Sequence, residues 1–331
     1  MKQILSTLFE HKKLTKAEAK EILVNISTGQ YNEAQIASFI TVYLMRQITV
    51  EEIQGFREAL LELCVAVDLE GVETIDVCGT GGDGKNTFNI STLSSFVLAG
   101  AGYKVSKHGN VGVSSSSGSS DVLQHLGYTF SNDIDKLKRQ LDKANICYFH
   151  APLFHPALKT VGPIRKQLSV KTFFNMLGPL VNPAQPKYQL TGVFSLELAR
   201  LYQYIFQQIP EKQYAIIYAL DGYDEVSLTG DFKLKMNSRE AIISPQSIGK
   251  QQVTPESLFG GDTVAEAAVI FMKILRGEGT QAQNDAVAVN SGVAIHTIKQ
   301  TVSLMDCIAE AEESLKSGRA LKAFEKLISN N

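Results

Sequence analysis

Between Asp76 and Asp121 the chain runs through two glycine- and serine-rich loops in series. The first is Cys78-Gly79-Thr80-Gly81-Gly82-Asp83-Gly84. The second is Lys107-His108-Gly109-Asn110 with the serine run over 114–120. Each loop follows a short β-branched segment and precedes a helical one, so the spacing predicts strand, loop and helix start twice over. Glu73–Val77 and Tyr103–Ser106 read as the strands, and Ser91–Ala99 and the segment from Ser119 as the helices, with Asn89 or Ser91 near the first cap. Glycine lets backbone N–H groups approach a ligand closely, and a helix N-terminus adds unpaired donors and partial positive charge. Two such loops predict donors converging on one small volume, a site for a phosphorylated ligand. Neither matches the lysine-bearing loop of nucleotide triphosphatases or the spaced glycines of dinucleotide folds.

The rest of the chain constrains the architecture around these loops. Lys16–Ile26, Glu33–Met45 and Glu51–Cys64 carry apolar residues at helical spacing, with Thr15 and Thr49 placed as caps. From about residue 72 short β-branched runs alternate with helical ones: Ile146–Phe149, Gln189–Val193, Tyr214–Tyr218 and Ala286–Val289 read as strands. The expected fold is α/β, with a small all-helical domain over 1–68 and a larger α/β domain over 69–331 built on a mostly parallel central sheet. The stretch Pro163–Pro183 breaks the rhythm and is expected to return to the helical domain. The segment 303–328 reads as a charged amphipathic helix pair forming an outer layer.

Charge and cysteine usage exclude several classes. A net charge of −2 leaves no broad basic field for nucleic acid, so anion recognition must be local. No apolar run is long enough to span a membrane, and Met1–Lys13 reads as an amphipathic helix rather than a secretory signal. Four cysteines without metal-type spacing read as buried free thiols in a reducing compartment, so the expected location is cytoplasmic.

Three further clusters carry chemistry. Asp224-Glu225 follows the Tyr214–Leu220 run, and paired carboxylates at a strand's carboxyl end suit Mg²⁺, which takes oxygen ligands and bridges to phosphates. Arg165 offers a two-pronged partner for a planar carboxylate. Asn175–Pro183 reads as a helix stop and turn.

Taken with Thr87-Phe88-Asn89-Ile90-Ser91-Thr92, Ser117-Gly118-Ser119, His155-Pro156-Ala157, Phe174-Asn175 and Leu177-Gly178-Pro179, these motifs resemble those of the anthranilate phosphoribosyltransferases, in order and along nearly the whole chain. The resemblance implies transfer of phosphoribose from 5-phosphoribosyl 1-diphosphate to the amino group of anthranilate, an early step of tryptophan biosynthesis, by a Mg²⁺-dependent homodimer. It implies that Gly79, Gly82, Asp83, Thr87, Asn89, Ile90, Ser91 and Thr92 line the diphosphate substrate. Lys107, His108, Gly109, Asn110, Val111, Gly112, Val113, Ser114, Ser115 and Ser119 join them. Ser91, Asp224 and Glu225 would hold the magnesium, and Asn110 and Arg165 would meet anthranilate, with Gly79 and His108 nearby. No general base is assigned; Lys107 is the expected leaving-group stabiliser.

The match departs at two positions. Val111 and Ser116 stand where the family usually has arginine and lysine. A cation about 4 Å from a phosphate is worth about 4 kcal/mol at an effective dielectric near 20, before desolvation, so the substitutions bear directly on diphosphate binding. Two other readings stay open at this point, a pyrimidine nucleoside phosphorylase-like enzyme and a non-catalytic nucleic-acid-binding relative.

Overall fold

The computed structural model describes residues 1–112 and 117–330, which form two compact units. Met1–Val67 with Ala151–Pro183 make the first; Asp68–His150 with Ala184–Asn331 make the second.

The first unit is helical: Lys2–Phe9, Lys16–Ser27, Glu33–Met45 and Val50–Glu62, then Ala151–Phe154 and Leu158–Leu168 from the later segment. Thr15, Asn32 and Thr49 each form a reciprocal capping box, worth about 1 kcal/mol apiece. Phe173 of the later segment stacks on Phe56 at 4.7 Å and meets Phe39 edge-on at 6.2 Å. Pro163 does not interrupt structure as expected: it lies inside the Leu158–Leu168 helix, and the break comes at Ser169, where φ is 53°. Glu52 is fully buried and accepts from Leu14 N at 3.0 Å, Thr49 N at 2.9 Å and both terminal nitrogens of Arg46.

The second unit is built on a seven-stranded sheet. Its strands are β1 (Ile75–Gly79), β2 (Val105–Gly109), β3 (Ile146–His150), β4 (Tyr188–Gly192), β5 (Gln213–Ala219), β6 (Phe232–Met236) and β7 (Glu240–Ile243). The order is β3-β2-β1-β4-β5-β6-β7, parallel through β5 and antiparallel beyond it. The strand order reverses between β1 and β4, which remain parallel, and in open α/β sheets ligands bind beyond the carboxyl ends of the strands at such a switch. One face of the sheet carries Ile75, Val77, Val105, Leu190 and Ile217 into the main core. On the other face the alternate residues Asp76, Ser106 and Gln189 are also buried.

Ala286–Val289 is not a strand: it lies within the helix Gln281–Ile298. That helix is buried from Asp285 through Thr297, so it shows no amphipathic period, and an Ala-Val alternation inside it imitates a core strand. The capping box at Thr280 and Gln283 was the available signal. The C-terminal pair Leu304–Lys316 and Arg319–Ser329 is amphipathic as expected, with Cys307, Ala311, Phe324 and Leu327 in the core. All four cysteines are free; Cys147 and Cys307 are buried, whereas Cys64 and Cys78 are partly exposed. No helix among the described residues is long and apolar enough to cross a membrane.

Candidate active site

The site begins with two glycines. Gly79 and Gly192 pair in register at the ends of β1 and β4, and a Cβ at either would overlap Asp224, its carboxylate in the first case and its carbonyl in the second. Only the missing side chains let the turn after β5 approach the switch point. Asp224 Oδ2 accepts from Gly81 N at 2.6 Å, and Glu225 Oε1 from Ser91 N at 3.0 Å. Ser91 is in the first turn of the helix Ile90–Gly100, so the Glu225 carboxylate occupies a helix N-terminus, where negative charge is favoured. Glu225 Oε2 is buried and has no partner among the described residues.

The local charge is unbalanced. Burial and the neighbouring Asp83 push Asp224 up to about 7, although the Gly81 N–H pulls the other way. Burial, then Asp224 and Asp83, hold Glu225 well above the usual carboxylate range. Two carboxylates that resist ionisation, one with an unused oxygen, are the donor set a hard divalent cation relieves. Among the described residues no group of three or more His, Cys, Asp or Glu forms a metal cluster. Such a donor set fits an ion that completes its shell with water and ligand phosphates, as magnesium does.

The first loop turns through left-handed glycines, Gly81 at φ 65°, Gly82 at 81° and Gly84 at 75°. Asn89 occupies the N-cap position without a side-chain cap bond. Its Nδ2 instead donates to Ser117 O at 3.4 Å, tying the helix start to the second loop. Thr80 Oγ1, Asn89 Oδ1 and Thr92 Oγ1 are buried without partners among the described residues, the pattern of a polar surface that expects a ligand.

The second loop opens where β1 and β2 part. Their register holds at Ile75 and Val105, and beyond it side chains bridge the strands. Lys107 Nζ donates to Val77 O at 2.7 Å, and His108 N donates to Asp76 Oδ1 at 3.3 Å. Asp121 Oδ2 accepts from both Gly112 N at 2.7 Å and Gly118 N at 2.8 Å, closing the loop onto the helix Ser119–His125. Ser119 Oγ lies 2.7 Å from Tyr148 Oη. Thus N–H groups of both loops already select carboxylate oxygens. The expected contacts Val113, Ser114 and Ser115, and the departure Ser116, lie outside the described residues.

Gly79, Gly82, Asp83, Thr87, Asn89, Ile90, Ser91, Thr92, Lys107, His108, Gly109, Asn110, Val111, Gly112, Ser119, Asp224 and Glu225 all belong to the second unit. Arg165 belongs to the first unit, where its Nη2 donates to Asn175 Oδ1 at 3.3 Å and its guanidinium lies 5.3 Å from the Phe174 ring centre. Sequence reasoning missed Gly192, Asp121 and Asn290. Asn290 accepts from Val226 N at 3.0 Å and donates to Val226 O at 2.9 Å, fixing the backbone next to Glu225. Asp121 was findable, being the acid three residues after Gly118 at a helix start; Gly192 and Asn290 carry no local signal.

Comparison with known proteins agrees with this geometry. Residues 71–321 match the glycosyl transferase family a/b domain and residues 2–64 its helical bundle domain. The anthranilate phosphoribosyltransferase of Christiangramia forsetii is 56% identical over 327 residues, 99% of this chain and 98% of that protein. Its counterpart in Bacteroides thetaiotaomicron is 52% identical over 331 residues, covering 100% of this chain and 99% of that one. The solved Thermus thermophilus enzyme superposes with a TM-score of 0.88 at 30% identity, over 98% of each chain. The Saccharomyces cerevisiae enzyme, in complex with PRPP and Mg, gives 0.90 at 27% identity over 98% of this chain and 96% of that chain. With likeness of this extent across both units, the chain belongs to the anthranilate phosphoribosyltransferase family.

Proposed function

We propose that this protein transfers the phosphoribosyl group of 5-phosphoribosyl 1-diphosphate to the amine of anthranilate, releasing diphosphate, as a cytoplasmic homodimer serving tryptophan biosynthesis. The observation that carries the reading is the acid pair seated on Gly79 and Gly192 at the sheet's switch point, beside two loops whose N–H groups select anions. Asp224 and Glu225, with Ser91, are the residues to hold Mg²⁺, which would supply positive charge to the departing diphosphate.

The amine of anthranilate is conjugated to its ring and weakly nucleophilic, so the transition state gathers positive charge at the ribose C1 and negative charge on the leaving group. Lys107 and the loop N–H groups stabilise that negative charge from fixed positions in a partly dry site. Asn110 and Arg165 are assigned to anthranilate, Arg165 to its carboxylate, and holding the amine in line replaces an encounter from solution. No side chain needs to remove a proton before the bond to C1 forms. The test is fluorescence-monitored consumption of anthranilate with 5-phosphoribosyl 1-diphosphate, with and without Mg²⁺. Loss of signal only with the metal is expected; an unchanged trace with both substrates and Mg²⁺ rejects the assignment.

A further inference from the structure

The two loops, residues 79–92 and 105–121, contain two lysines between them and no arginine. Lys107 is buried and its ammonium is bonded to Val77 O. Lys85 differs. Its backbone N–H donates to Asp83 Oδ1 at 3.0 Å, which anchors its Cα at the tip of the first loop. Its ammonium lies 4.6 Å from the centre of the Tyr223 ring, and Tyr223 is the residue before Asp224. Among the described residues Lys85 takes part in no ion pair, although Asp83 is two positions away. Val111, at the head of the second loop, presents an exposed apolar side chain, so that loop adds no cation beyond Lys107.

A lysine resting on an aromatic face at the rim of an acidic site is held by a weaker attraction than a charge-assisted hydrogen bond to phosphate. Its four-carbon stem lets the head move while the turn at Asp83 keeps the base fixed. We propose that Lys85 is the mobile cation for the leaving group: it exchanges the Tyr223 ring for the diphosphate end of 5-phosphoribosyl 1-diphosphate, which carries more negative charge than Lys107 alone can meet. The inference rests on the phosphoribosyl reading above and adds a residue to it.

The test compares wild type with Lys85→Met and Lys85→Arg. Lys85→Met is expected to raise the KM for 5-phosphoribosyl 1-diphosphate and the inhibition constant of magnesium diphosphate about tenfold, the size of one lost hydrogen bond to a charged group. The KM for anthranilate and the melting temperature stay at wild-type values, and Lys85→Arg recovers most of the loss. Constants within twofold of wild type in Lys85→Met overturn the proposal. So does a loss shared by both substrates with a lower melting temperature, which would assign Lys85 to bracing Tyr223. Should wild type fail to consume anthranilate, the function assigned above fails, and Lys85 is then judged by calorimetric titration with magnesium diphosphate. Equal affinity of wild type and Lys85→Met rejects its role there; about tenfold weaker binding by the variant upholds it.

Discussion

Replacing Asp224 by asparagine is predicted to make the metal-free protein more stable while removing its activity. The carboxyl titrates at about 7 in the fold against an ordinary 3.8, roughly three units, and each unit corresponds to about 1.4 kcal/mol. The sign follows from linkage. Below about pH 4 the group is protonated folded or unfolded, and no penalty exists. Between there and pH 7 the unfolded chain ionises first, so native stability falls; above 7 the penalty is complete, at most on the order of 4 kcal/mol. Asparagine keeps an oxygen for the Gly81 N–H and removes the charge. In buffer with chelator, the variant should therefore exceed wild type by up to about 4 kcal/mol at pH 8, a shift of roughly 10 °C for a unit of this size, and by less than half of that at pH 5. Calorimetric unfolding at both pH values measures the difference. An advantage that does not grow with pH, or a variant less stable than wild type at pH 8, refutes the claim that the acid is held under electrostatic strain.

Other substitutions probe separate parts of the structure. Gly192→Ala drives a Cβ into the Asp224 carbonyl and should destabilise by about 1–3 kcal/mol while raising the magnesium needed for half-maximal rate; wild-type denaturation and metal response would contradict the close packing described. If Arg165 meets the anthranilate carboxylate as proposed, Arg165→Ala should raise the KM for anthranilate about tenfold or more and leave that for 5-phosphoribosyl 1-diphosphate near wild type, the size of a lost charged hydrogen bond; an unmoved anthranilate KM counts against the assignment. In the helical unit, burial raises the Glu52 pKa, but the Arg46 guanidinium and the Leu14 and Thr49 N–H groups outweigh it and hold the pKa below its ordinary 4.5. Its contribution is thus present at neutral pH and lost as pH falls below the ordinary 4.5 and through the lowered folded-state pKa. Glu52→Gln should cost about 3–5 kcal/mol at pH 7 by leaving Arg46 without its anion, and urea titrations of both proteins at pH 7 and pH 3 would expose a pH-independent difference if this is mistaken.

Much of this architecture was readable before any coordinates. Thr15 and Thr49 marked helix starts because capping is local chemistry, written within four residues. Strands β1 to β5 are each legible to within three residues, since they are short apolar runs ended by glycine or polar turns. What escaped depended on contacts distant in sequence. The Gln281–Ile298 helix was misjudged because burial on every side erases the period that betrays a helix. Gly192 matters only because Asp224 comes to lie against it, and no pattern around residue 192 announces that. The antiparallel strands β6 and β7 went unassigned, the lysine alternation in 232–236 being a trace of β6 alone. At the site itself Asp224, Glu225, Ser91 and Lys107 were named from motif position, whereas the carboxylates' engagement of Gly81 and Ser91 needed three dimensions.

Asn290 gives the acid doublet a property that charge alone would not. By clasping the amide and the carbonyl of Val226 together, it works like one rung of a ladder supplied by a side chain, anchored in the buried middle of its helix. Hydrogen-bonded there, the backbone cannot swing its two acids apart to ease their mutual dislike. Relief has to arrive from outside, as a proton or an ion.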